Sequence, residues 1–283
     1  MAESTDKQAP IGLIAAAGRL PVLTAEGIHA AGRRVACVGL AGHYDPALPD
    51  LCDMFAKAGI IQLGRWIRLL RRFGASEAVL IGRVNKARMY QPLRLFRQLP
   101  DWRTAKLWYR VTRYDKRSAT LLTVGADMMS REGIELIDTT RYIPEYMADE
   151  GVLTRCQPTG EQLADIEFAW PLVKRLGELD IGQGMAVKER EVIAIEAIEG
   201  TDAMIRRAGE LCKRGRWALI KVARPGHDMR FDVPTVGPVT IERMHECGGT
   251  CLAVEAGKVI LADKVQFLEL ADRYRIAVLG RRI

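Results

Sequence analysis

The first forty residues contain the pattern that most restricts the fold. Ile11 to Ala17 is an apolar run that ends at Gly18, a helix is predicted over 20–31, and Arg34 to Leu40 is a second apolar run. Strand, helix and strand within about 30 residues predict a right-handed βαβ unit with parallel strands. Shorter strands are expected over 60–63 and 78–84. The first half of the chain is therefore predicted to be an α/β domain.

Two strand ends in this half are candidate ligand-binding turns. One carries Gly18, Arg19 and Leu20, and the other carries Gly82 and Arg83. Parallel sheets bind ligands at the carboxyl ends of their strands, where a helix N-terminus attracts anions. The first turn lacks the full Gly-x-Gly-x-x-Gly pattern, so no dinucleotide is inferred.

The second half has a different pattern. After a polar, turn-rich stretch over 143–158, turn signals recur every eight to ten residues. This spacing is typical of an α+β region rather than of another doubly wound unit. Helices are expected over 161–176 and 203–213, with Thr201 as the N-cap of the second. We therefore predict one domain over 1–145 and another over 146–283.

Composition excludes several classes of protein. The chain has 283 residues, of which 48% are hydrophobic and 27% charged, as in soluble globular proteins. No apolar run approaches the roughly 20 residues that span a bilayer. The N-terminal residues lack the apolar core of a secretory signal, so a cytoplasmic location is expected. The six cysteines form no Cys-x-x-Cys pair, and the four histidines have no metal-ligand spacing.

Positive charge is concentrated between positions 65 and 117. This basic block holds fifteen Lys and Arg residues against three acids. Such an excess predicts an anionic partner, which could be nucleic acid, a phosphorylated substrate or lipid headgroups. The large apolar residues of 85–117 fit either ordinary amphipathic helices or a membrane-surface segment. No nucleic-acid-binding motif is present, so no nucleic-acid partner is expected.

The segment from Lys221 to Gly237 is the strongest candidate for a catalytic site. Asp228 and Asp232 lie four residues apart, and Pro225 and Pro234 disfavour a helix there. In an extended segment, residues of equal parity share a face. Two such carboxylates among cations suit a divalent metal, Mg²⁺ or Mn²⁺, that holds phosphate oxygens. The alternative is a charged loop in which the aspartates pair with the arginines.

A second acidic group surrounds the predicted start of a helix near position 201. Glu196, Glu199 and Asp202 could bridge a metal to a phosphate bound at the helix start. Alternatively, they are acids favoured in a first helical turn. The stretches 194–200 and 252–258 share the order strand, acid, glycine, but they are too short to be called a repeat.

Several longer motifs together resemble one protein family. They are Ile11-Gly-Leu-Ile-Ala15 with Gly18-Arg-Leu-Pro21, Glu150-Gly-Val-Leu-Thr154, Asp180-Ile-Gly-Gln183, Val192 to Met204, and Pro225 to Gly237. In these motifs the chain is similar to the LpxI-type UDP-2,3-diacylglucosamine pyrophosphatases of Gram-negative lipid A biosynthesis. It departs from the family pattern at Ala15 to Ala17, where glycine is more usual, and at Arg117 to Leu122.

The resemblance implies metal-dependent hydrolysis of UDP-2,3-diacylglucosamine to 2,3-diacylglucosamine 1-phosphate (lipid X) and UMP. It also implies a Rossmann-like first domain joined to an α+β domain of unusual fold. The expected location is the cytoplasm, with peripheral association at the inner membrane. A homodimer is one candidate assembly. The rival hypotheses are a non-catalytic binding module for a phosphorylated lipid or nucleotide, and nucleic-acid binding through the basic block.

Each candidate residue is assigned a role. The expected catalytic residues are Asp228, Asp232 and His227. The expected metal ligands are Asp228 and Asp232, with Glu196, Glu199 or Asp202 contributing. The expected substrate-binding residues are Gly18, Arg19, Leu20, Gly82, Arg83, Gln183, Thr201, Lys221, Arg224 and Arg230.

Overall fold

The chain forms two compact units. The computed structural model describes residues 9–83, 118–224, 228–231 and 233–282, and of 118–121 it describes the backbone alone. The first unit comprises Met1–Ile143 and Met229–Asp232, and the second comprises Pro144–Asp228 and Val233–Ile283. The sequence placed a single division at 145/146, whereas the chain also returns to the first unit at 229–232. Phe231 explains this return, because its buried side chain belongs to the core of the first unit.

The first unit is built on a five-stranded parallel sheet. Its strands are β1 Ile11–Ala15, β2 Val35–Leu40, β3 Met54–Ala58, β4 Glu77–Ile81 and β5 Glu135–Leu136. They lie in the order β3-β2-β1-β4-β5. The strands β1 and β2 are buried along their whole lengths, which explains their unbroken apolar sequences. The predicted α/β class of this half is confirmed. Its helices are α1 Leu20–Ala30, α2 Leu63–Arg72 and α3 Ser118–Arg131, with a 3-10 turn at Leu48–Leu51.

The strand expected over 60–63 is wrong. The strand at this point in the chain is β3, and a turn over 59–62 leads into α2. The Gln62 side chain accepts a hydrogen bond from the Gly59 amide at 2.9 Å, and the Trp66 indole donates to the Gly59 carbonyl at 2.8 Å. The apolar residues at 60–63 therefore close a turn instead of continuing the sheet.

The second unit contains a mixed six-stranded sheet. Its strands are β6 Gly151–Val152, β7 Gly184–Lys188, β8 Glu191–Ile195, β9 Trp217–Lys221, β11 Gly249–Glu255 and β13 Ala277–Arg281. They lie in the order β6-β13-β11-β9-β7-β8. The three central strands, β13, β11 and β9, are parallel, and β6 and β7 pair antiparallel to them. This mixed sheet matches the predicted change of architecture in the second half.

The other elements of the second unit lie outside this sheet. A separate strand pair is formed by β10 Thr235–Val236 and β12 Ile260–Leu261. The helices are α4 Gly160–Glu178, α5 Thr201–Leu211, α6 Pro238–Glu246 and α7 Lys264–Arg273, and a 3-10 turn spans Pro144–Tyr146.

Helices cover both faces of this second sheet. Trp217 and Leu219 of β9 pack in one cluster with residues of α5, α6 and α7. The alternate residues Ala218 and Ile220 pack in another cluster with α4. Because successive residues of a strand point to opposite faces, α4 lies on one face and α5 to α7 on the other.

Candidate active site

Polar residues from distant parts of the sequence meet at one edge of the second sheet. This is the edge at which β9 and β11 end. Since β7 runs antiparallel to β9, its first residue Gly184 pairs with Lys221, the last residue of β9. The Val222 amide donates to the Gln183 carbonyl at 3.0 Å, and the Glu196 amide donates to the Gly184 carbonyl at 2.9 Å. Gln183, Glu196 and Lys221, which were all predicted site residues, are thus brought together.

Glu196 and Lys221 form a buried polar cluster together with the half-buried Thr201. The Lys221 ammonium donates to Glu196 Oε2 at 2.6 Å and to Thr201 Oγ1 at 2.8 Å, and the Thr201 hydroxyl donates to Glu196 Oε1 at 2.6 Å. The side chains of Lys221 and Glu196 are only 7% and 10% exposed. Burial of a charged pair is tolerated when each charge is neutralised and hydrogen-bonded, as here.

The role expected for Thr201 as a helix N-cap is wrong. Helix α5 begins at Thr201, and its N-cap is Gly200, whose φ is 83°. Glycine reaches this left-handed conformation without strain. The Thr201 side chain is thereby released for the contacts with Glu196 and Lys221, which keeps it a candidate site residue.

The glycines of the Asp180-Ile-Gly-Gln-Gly184 stretch make room for Glu196. A Cβ on Gly182 would lie 1.8 Å from the Glu196 carbonyl oxygen, and a Cβ on Gly184 would lie 2.6 Å from Glu196 Oε2. Both distances are far shorter than any van der Waals contact. This motif is therefore needed for the backbone of 182–184 to approach the end of β8.

Two of the remaining charged candidates at this edge, Arg224 and Glu199, form ion pairs. Arg224 pairs with Asp180, and Glu199 pairs with Arg207 at 2.9 Å. Asp202 is half-buried in the first turn of α5. Of the three acids, Asp202 lies in the first turn of α5, as the structural alternative expected. Glu196 and Glu199 precede the helix and are held instead by ion pairs with Lys221 and Arg207.

The carboxylate pair of the strongest sequence candidate is described only in part. Asp228 is half-buried in the second unit, whereas His227 and Asp232 lie outside the described residues. Arg230 belongs to the first unit. Its Nη1 lies 3.9 Å from Glu135 Oε1, and its guanidinium lies over the ring of Phe231. Among the described residues, no group of three or more His, Cys, Asp or Glu side chains is arranged to hold a metal ion. The metal ligand set therefore stays a prediction.

The candidate residues of the first unit lie together at the carboxyl edge of its sheet. An isolated bridge pairs Ala17 with Arg83 and so joins the segments that follow β1 and β4. Gly82 has a φ of 107°, and a Cβ there would lie 2.8 Å from the Ala16 carbonyl carbon. Helix α1 starts directly after Gly18 and Arg19. Strand order reverses between β1 and β4, which is where open parallel sheets bind ligands.

One functional candidate was missed by the sequence reasoning. Glu255, the last residue of β11, is 4% exposed and accepts hydrogen bonds from Lys174 at 3.0 Å and from the Ala223 amide at 2.9 Å. Lys258 forms a further ion pair with it at 2.9 Å. Burial alone would raise the pKa of Glu255, but the hydrogen bonds from these lysines and the Ala223 amide hold the pKa below its ordinary value. The signal that could have found it is the shared order of strand, acid and glycine at 194–200 and 252–258.

The basic block is described only for its first part, since 84–117 lie outside the described residues. Helix α2 buries Leu63, Ile67 and Leu70. Its exposed residues include four arginines: Arg65, Arg68, Arg71 and Arg72. Within the described ranges, no helix combines the length and apolarity needed to cross a bilayer.

Comparison with known proteins accounts for nearly the whole chain. Residues 10–146 match the family model described as the LpxI N-terminal domain, and residues 149–279 match the LpxI C-terminal domain. A relative from Caulobacter vibrioides, named UDP-2,3-diacylglucosamine pyrophosphatase LpxI, is 34% identical over 278 residues, which cover 95% of this chain and 96% of the relative.

Proposed function

Because the chain belongs to the LpxI family, we propose that it hydrolyses the pyrophosphate of UDP-2,3-diacylglucosamine in lipid A biosynthesis. The products would be 2,3-diacylglucosamine 1-phosphate (lipid X) and UMP. The observation that carries this proposal is the full-length similarity to a pyrophosphatase named for that substrate. The polar edge of the second sheet supports it, because phosphoryl transfer relies on charged groups that position and stabilise phosphate oxygens.

The proposed reaction needs a base and a route for the leaving oxygen. The oxygen of a water molecule forms a bond to one phosphorus while the bond from that phosphorus to the bridging oxygen breaks. The bridging oxygen leaves as part of the other phosphate. The proton of the attacking water passes to Asp228, Asp232 or His227, the three predicted catalytic residues.

Arg224 is the best supported phosphate-binding side chain of the second unit. One of its terminal nitrogens pairs with Asp180, and its side chain remains 28% exposed. A guanidinium carries several donors and can bind two phosphate oxygens at once. Lys221 is already neutralised by Glu196, so its proposed role is to hold Thr201 and the end of β9 in place.

A divalent cation, Mg²⁺ or Mn²⁺, is part of the proposal. Asp228 and Asp232 are the proposed ligands, because carboxylate oxygens are what these ions prefer. Glu196 and Glu199 already pair with Lys221 and Arg207, so they fit a supporting role better than a ligand role. When bound, the ion would neutralise charge on the pyrophosphate.

The test is release of UMP from UDP-2,3-diacylglucosamine. We expect release in the presence of Mg²⁺ or Mn²⁺ and its loss when a chelator is added. Asp228→Ala should lower kcat by about a hundredfold or more, the usual range for a catalytic acid or base. Asp127→Ala, at an exposed position of α3, is the control and should keep normal turnover. Absence of UMP with every divalent ion would instead favour the non-catalytic binding module.

We further propose that the protein associates with the anionic cytoplasmic surface of the inner membrane. The four exposed arginines of α2 support this, because each basic side chain near an anionic leaflet contributes about 1 kcal/mol. Flotation with phosphatidylglycerol vesicles should recover the protein at low salt and lose it at high salt. Phosphatidylcholine vesicles are the matched control, and equal recovery with them would contradict an electrostatic mode of binding.

A further inference from the structure

The end of β9 is held by a lysine and glutamate pair on each face of the second sheet. Lys221 shares a face with Trp217 and Leu219, and there it meets Glu196. Glu255 shares the opposite face with Cys251 and Ala253 of β11. On that face it meets Lys174 of α4.

The contacts on the α4 face replace the strand pairing that stops at this point. The pairing of β11 with β9 ends at Val254 and Lys221. Beyond it, the Ala223 amide donates to Glu255 Oε2 at 2.9 Å, and the Ala223 carbonyl accepts from Lys174 at 3.2 Å. Both backbone groups of Ala223 are therefore fixed by one ion pair. The next residue is Arg224.

We infer that Glu255 is a positioning residue for the proposed hydrolysis: with Lys174, it sets the path on which the chain leaves β9 and so aligns Arg224. The inference rests on the proposed function, which gives Arg224 its role. A buried carboxylate is costly to retain. Here it serves three donors at once, the Ala223 amide, Lys174 and Lys258. An apolar residue would fill the space but would leave the Ala223 amide without an acceptor.

Glu255→Gln is the test variant, because it keeps the volume but offers a single acceptor oxygen to the three donors. We expect kcat for UMP release to fall roughly tenfold or more while KM changes less than about threefold, since alignment acts on the transition state. Hydrogen exchange should rise in a peptide containing Val222, Ala223 and Arg224 and stay unchanged in one covering Trp217–Lys221. Glu246→Gln, an exposed residue of α6 paired with Arg243, makes the same charge change away from this edge and should alter neither measurement.

The outcomes separate the inference from the proposed function. A wild-type protein that releases no UMP would refute the proposed function and the inference with it. An active wild type with a Glu255→Gln variant within twofold of its kcat would refute the inference alone. A raised KM with normal kcat would assign Glu255 to binding and equally overturn it. If Glu255→Gln does not fold, Lys174→Met is the second variant. It removes the donor to the Ala223 carbonyl and the ion pair with Glu255, but it keeps the bond from the Ala223 amide to Glu255, so it should show the same kcat loss in smaller degree.

Discussion

Replacing Lys221 with methionine tests whether the buried cluster at the sheet edge is as tightly coupled as its geometry indicates. The Lys221 ammonium lies 2.6 Å from Glu196 Oε2, and both side chains are at most 10% exposed. Loss of one partner of a buried pair leaves an uncompensated charge and typically costs about 3–5 kcal/mol. The Thr201 hydroxyl still donates to Glu196 and retains about 1 kcal/mol of this. We therefore expect a loss of about 3 kcal/mol in the free energy of unfolding.

Urea unfolding followed by the intrinsic fluorescence of the five tryptophans would measure this loss, and Trp217, which is buried in the core of the second unit, contributes to the signal. At an m-value of about 2 kcal/mol/M, the expected shift of the midpoint is about 1.5 M urea. Lys213→Met is the control, because Lys213 is exposed in the same unit; it should change stability by less than about 0.5 kcal/mol.

The double variant Lys221→Met/Glu196→Leu removes both charges and should be more stable than Lys221→Met alone, since an apolar pair can replace a buried ion pair at little cost. A single-variant loss below about 1 kcal/mol, or a double variant less stable than the single one, would refute the reasoning.

Three further predictions concern the same edge. Gly182→Ala should lower the free energy of unfolding by at least about 2 kcal/mol, measured by thermal unfolding, because its Cβ would lie 1.8 Å from the Glu196 carbonyl oxygen. Gly160→Ala is the control and should be nearly neutral, because a Cβ there meets nothing within 4 Å. Equal losses of stability in the two variants would contradict the close-approach argument. Thr201→Ala should lower the free energy of unfolding by about 1–2 kcal/mol, and Thr201→Ser should lower it clearly less, because only serine keeps the hydroxyl that bonds Glu196 and Lys221. Equal unfolding midpoints for the two variants would contradict this role of the hydroxyl. Glu255 has a lowered pKa in the folded state. The stability that its carboxylate contributes is therefore present above the ordinary glutamate pKa of about 4.3 and is lost as pH falls through the pKa of the folded state. Melting temperatures measured from pH 6 down to pH 3 should drop more steeply for wild type than for Glu255→Gln, and parallel curves would contradict the assignment.

The elements with strong local signals were predictable from the sequence. The strands β1 and β2 and the helix between them follow from two apolar runs separated by a helical stretch that ends at a glycine. The strand expected at 60–63 failed because an apolar run that short fits a turn as well as a strand. The true strand β3 is only partly buried and alternates weakly, so it carries little periodic signal.

The sequence by itself determined the family, the parallel first half, the mixed second half and the segments that carry polar site residues. Only the tertiary structure decided which charges meet. Glu255 lies 81 positions from Lys174 and 32 from Ala223, and Glu196 lies 25 from Lys221. An ion pair forms only when two groups come within a few ångströms, and strand order at a sheet edge sets that proximity, whereas local sequence does not. For this reason Glu196, predicted as a metal ligand, is found paired with a lysine, and Glu255 emerged only from the fold.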